Sequence, residues 1–73
     1  MRRYTYSKDR SVRCVGDPFC PTEYEFERFD KNLDRWMRFG GGWGNSKNGY
    51  THDKTKLHAL TLRGLLDKIA EGK

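Results

Sequence analysis

A single small α+β domain is what the sequence predicts, and three observations predict it. The amino-terminal segment alternates side chains as a strand pair does, the middle segment carries a helix-start signal ahead of an apolar stripe, and Asn48-Gly49 marks a hairpin turn. With 73 residues the chain has room for one core, so residues 1–73 form one domain. That excludes two-domain enzymes, dinucleotide-binding folds and P-loop machines.

The elements follow in order. Residues 3–15 read as two short strands around the polar Ser7-Lys8-Asp9-Arg10, with Tyr4 and Tyr6 on one face of the first and Val12 and Cys14 together on the second. Gly16-Asp17-Pro18 and Pro21 then punctuate the chain. Thr22 followed by Glu25 fits a capping box, and a helix over about 23–38 gathers Phe26, Phe29, Leu33, Trp36 and Met37 into one stripe. The rival reading of the same segment is a hairpin turning at Lys31-Asn32, because Tyr24 and Phe26 alternate with glutamates and Asp30, Asn32 and Asp34 are poor helix formers. The helix is the preferred expectation.

Gly40-Gly41-Gly42-Trp43-Gly44 ends that segment without forming a phosphate loop, because no Gly-Lys-Ser/Thr follows. A type I′ turn at Asn48-Gly49 places Lys47 opposite Tyr50 and Trp43 near Lys54. Residues 50–60 read as an extended strand. Thr61 then caps a short helix whose apolar face is Leu62, Leu65, Leu66 and Ile69, with Gly72 as its stop. The expected architecture is therefore an amino-terminal β-hairpin, a middle helix, a Gly-rich Asn-Gly hairpin and a short carboxy-terminal helix.

Charge supplies the functional expectation. The net charge is +5, carried by two basic segments that flank an acidic one. Arg2, Arg3, Lys8, Arg10 and Arg13 precede Asp17, Glu23, Glu25, Glu27, Asp30 and Asp34, and Arg35, Arg38, Lys47, Lys54 and Lys56 follow. Such a distribution suits a polyanion on one face and excludes it from another. The expected function is non-enzymatic nucleic-acid binding in a regulatory, DNA- or RNA-directed role. Arg35, Arg38, Lys47, Lys54 and Lys56 would meet phosphates while Trp43 and Tyr50 stack on bases.

The alternative is a small regulator that covers a site on a protein of the transcription apparatus, such as RNA polymerase. Its anchors would be Arg2, Arg3, Tyr4 and Tyr6 with Glu23, Glu25 and Glu27. The start of the chain lacks the apolar stretch of a signal peptide and no run spans a membrane, so a cytoplasmic protein without a membrane partner is expected.

Two further patterns bear on chemistry. Cys14 and Cys20, and His52 and His58, each enclose five residues, and zinc accepts two thiolates and two imidazoles. A pleated strand would hold His52 and His58 roughly 20 Å apart, however, so no metal or other cofactor is expected. Thr61-Leu62-Arg63-Gly64-Leu65-Leu66, following a His-bearing strand, resembles the carboxy-terminal helix of HicA-type toxin ribonucleases over about a dozen residues. That family's Gly-Ser-His pattern is absent and residues 1–22 have no counterpart in it, so ribonuclease activity is the least favoured expectation.

Overall fold

A computed structural model describes residues 3–17 and 19–72. Six strands run β1 (Arg3–Tyr6), β2 (Val12–Asp17), β3 (Cys20–Asp30), β4 (Arg35–Asn45), β5 (Gly49–His52) and β6 (His58–Ala59), and one helix, α1 (Leu62–Glu71), closes the chain. Each strand pairs antiparallel with the next, so the sheet order is the chain order. This overturns the α+β expectation of a middle helix between two hairpins: the protein is mostly one antiparallel sheet with a single short helix.

The predicted helix over 23–38 is the β3–β4 hairpin. Asp30 folds its carboxylate onto the N–H groups of Asn32 and Leu33, and Asp34 takes a positive φ of 54°, which together reverse the chain at residues 31–34. Along β3 the glutamates at 23, 25 and 27 fall on one face while Phe26 is wholly buried on the other. The partners of Tyr24, Glu25 and Phe26 are Gly42, Gly41 and Gly40, a backbone pairing that a helix could not make. Of the supposed apolar stripe, Leu33 and Met37 are exposed.

The Asn-Gly hairpin also turns one step earlier than expected. Asn45 pairs with Gly49, its Oδ1 accepts from the N–H groups of Lys47 and Asn48, and Gly49 closes the loop at a φ of 88°. The connection is thus three residues long, Ser46 to Asn48, and the positive φ that lets the chain enter β5 falls on Gly49, where a glycine carries no Cβ penalty. Tyr50 consequently faces Gly44 and Trp43 faces Thr51, not Lys47 and Lys54. The single strand expected over 50–60 is broken at residues 53–57, where Lys56 N–H bonds to the His52 carbonyl and β6 folds back on β5.

Helix α1 begins at Thr61, whose hydroxyl accepts from Gly64 N–H, and lays Leu65, Leu66, Ile69 and Ala70 against Val12, Cys14, Phe26 and Ala59. The opposite face of the sheet has no covering element among the described residues. A β-bulge between Phe26 and Glu27 leaves Phe39 as an extra residue on β4, and it packs against the core.

His52 is buried with its ring edge-on to Phe26 and Phe39. Its Nδ1 accepts from Thr55 N–H and lies 2.8 Å from the Thr55 hydroxyl, which leaves the ring proton on Nε2, where no partner is present among the described residues. Burial holds this imidazole below its ordinary value of 6.5, with Lys54 and Arg28 adding to the effect and Asp53 opposing it. The unfolded chain takes up a proton as pH falls through 6.5, whereas the native state resists until lower pH. Stability is therefore fully present above that value and lost progressively below it. Urea midpoints should stay level at neutral pH and fall toward about pH 5, and a pH-independent midpoint across that interval would count against this role for His52.

Candidate functional site

The residues expected to contact nucleic acid do not gather on one surface. Arg35 opens the eleven-residue strand β4 and Lys47 lies in the turn just past its far end, Asn45, roughly 30 Å away at about 3.3 Å per residue. Arg38 is held by Glu25 at 2.7 Å on the uncovered face. Tyr50 is half-buried, packed against the core beneath α1 with its ring edge-on to that of Tyr24. Lys54 and Lys56 lie in the β5–β6 connection, and Trp43, 54% exposed, stands on the uncovered face.

The structure instead concentrates cations and aromatic rings at the β1 edge. Strand alternation turns Tyr4, Tyr6 and Arg13 toward the uncovered face, with Tyr6 opposite Arg13. The Arg13 guanidinium lies 4.2 Å from the Trp36 ring centre and 4.5 Å from that of Tyr4. Its Nε donates to Glu27 at 2.6 Å and its Nη1 donates to the Tyr6 hydroxyl. Burial works against the charge of Arg13, but these hydrogen bonds outweigh it and keep the group firmly cationic. Arg10 stacks 4.4 Å from the Tyr6 ring centre, and Tyr6 and Phe29 both meet Trp36 edge-on.

Beside this cluster a groove of about 520 Å³ runs between β1 and α1. Lys8, Arg10 and Arg63 line it with Tyr4 and Tyr6, against one carboxylate, Asp67. Asp67 accepts from Lys8 N–H at 2.6 Å and so ties the β1–β2 turn to the helix. Arg3 precedes Tyr4 on β1, and Arg13 is the cross-strand partner of Tyr6 on β2. Sequence reasoning placed Tyr4, Tyr6 and Arg3 in the alternative protein-binding set and left out Lys8, Arg10, Arg13 and Arg63. The amino-terminal run of cations was legible, but Arg63 joins it only because α1 packs back beside β1. Arg2, also in that alternative set, lies outside the described residues.

The acidic members of that set occupy the uncovered face. Glu23 and Glu25 rim a second groove, and Glu27 is bound to Arg13. The Cys/His set is dispersed: Cys14 is buried on the helix side with its thiol pushed up to about 12 by burial, and Cys20 lies beyond the bulge at Gly16 and Asp17. His52 is buried, and His58 is exposed with its Nδ1 3.1 Å from the Thr51 hydroxyl. Among the described residues no cluster of three His, Cys, Asp or Glu side chains could hold a metal, and no helix is long and apolar enough to cross a membrane. Comparison with family models, curated proteins and solved structures returns no match.

Proposed function

We propose that this is a small, non-enzymatic nucleic-acid-binding protein of regulatory type, which takes the phosphate backbone along the groove between β1 and α1. The observation that carries the reading is the joining of Lys8, Arg10 and Arg63 with Tyr4 and Tyr6 in one groove. Arginines that already stack on tyrosines hold their outer N–H groups in fixed directions, which suits bidentate contact with phosphate oxygens. Tyr4, 48% exposed, offers a ring on which an unpaired base could stack.

The test is a salt titration of labelled single- and double-stranded DNA and RNA. Affinity should fall with salt, and replacing Lys8, Arg10 or Arg63 with Ala should each lower the slope of log affinity against log salt by roughly 0.7–0.9. Replacing Arg35 or Lys47 should leave it unchanged. The reverse pattern would move the interface to β4, and no binding at low salt would end the proposal.

A further inference from the structure

The second groove lies on the uncovered face of the sheet, encloses about 600 Å³, and has the opposite electrical character. Its carboxylates are Asp17, Glu23, Glu25 and Asp53, and no lysine or arginine lines it among the described residues. Glu25 is neutralised by Arg38, whereas Asp17, Glu23 and Asp53 make no ion pair with a described cation. Two aromatic rings stand among these charges. Trp43 is the cross-strand partner of Glu23, which puts indole and carboxylate side by side, and Phe19 is 93% exposed at the mouth. The floor is kept low by Gly41, which has no side chain to fill the space.

An exposed indole beside unpaired carboxylates is a poor surface for phosphate and a good one for an organic cation, which gains both Coulombic attraction and the ring's negative face. An exposed phenylalanine is in addition a protein-interface anchor, since aromatic rings are enriched at such contacts. The geometry points to this groove as the docking site for an extended peptide segment of a partner protein, rich in arginine and lysine. The peptide's cationic side chains lie over Trp43 and against Glu23, Asp17 and Asp53, and its backbone runs above Gly41. The inference is independent of the nucleic-acid reading, because the two grooves share no lining residue among those described.

The probe is a fluorescein-labelled octapeptide of alternating arginine and glycine, followed by anisotropy with the full chain. Saturable binding that weakens as salt rises is expected, with no binding of the matching glutamate-glycine peptide. Trp43→Ala should weaken binding about fivefold to tenfold, and so should the double change Asp17→Asn with Glu23→Gln, while nucleic-acid affinity stays unchanged. In the Trp36→Phe protein Trp43 is the sole indole, so its emission should change with the same midpoint as the anisotropy. Binding without an emission change, or binding indifferent to the acidic changes, would overturn the proposal. Spermidine binding as tightly as the peptide would make the groove a site for free amines, and self-association of the chain blocking the peptide would make its occupant a second copy. Either result would replace the partner segment proposed here.

Discussion

Replacing Phe26 with alanine is expected to lower the melting temperature by at least about 12 °C and to leave a large share of the chain unfolded at physiological temperature. Phe26 is wholly buried and is the largest such side chain. It fills the space between β3, the glycines of β4, His52 and the residues under α1. Removing a buried phenylalanine ring costs about 3–5 kcal/mol, the transfer loss and the cavity together. A chain of 73 residues has a total stability of roughly 4–11 kcal/mol, so the loss approaches the whole. For a domain of this size each kcal/mol shifts the midpoint by about 4–8 °C. Phe26→Leu retains most of the volume and should lose far less. A thermal scan in which Phe26→Ala melts within a few degrees of the parent would show that the sheet and α1 are not joined through this ring.

The same residue explains why the middle of the chain misleads. Phe26, Phe29, Leu33, Trp36 and Met37 satisfy helical spacing, yet Glu23, Glu25 and Glu27 alternating with Tyr24 and Phe26 satisfy strand spacing over the same stretch. Local pattern alone cannot choose. What decides is the run Gly40–Gly42, a flat backbone surface against which β3 can lie, and that pairing spans from fourteen to eighteen residues of chain. The carboxy-terminal helix is legible because its signals are local, a threonine cap and four apolar residues on one face. The basic groove was half legible. The amino-terminal cations and tyrosines are adjacent in sequence, but the approach of Arg63 depends on a meander of six strands bringing α1 back to β1. The acidic groove follows the same logic, since Asp53 reaches it only through the bond from its N–H to the Gly41 carbonyl.

Gly42→Ala should be nearly as damaging as the loss of Phe26, for the opposite reason. A Cβ at Gly42 would run into the Thr51 carbonyl oxygen, stand 2.8 Å from the Phe26 ring and 3.1 Å from the His52 Cα. Two of these three neighbours are backbone, so no rotamer change relieves the crowding, and β4 and β5 must separate. The Gly42–His52 and Trp43–Thr51 pairs would open. With them would go the support of β6, whose Ala59 lies in the core beneath α1. Overpacking a core costs about 1–3 kcal/mol and more where backbone must move, against only about 0.4–1 kcal/mol gained by stiffening the unfolded chain. A net loss near 3 kcal/mol, or a midpoint lower by at least about 12 °C, is expected. Gly41→Ala is the control: its Cβ meets only the Tyr24 carbonyl oxygen, at 3.3 Å, and lines the open groove. It should shift the midpoint by a few degrees at most. Equal effects of the two substitutions, or protection of the β5 amides from hydrogen exchange undiminished in Gly42→Ala, would show that β5 does not press on β4 at this point.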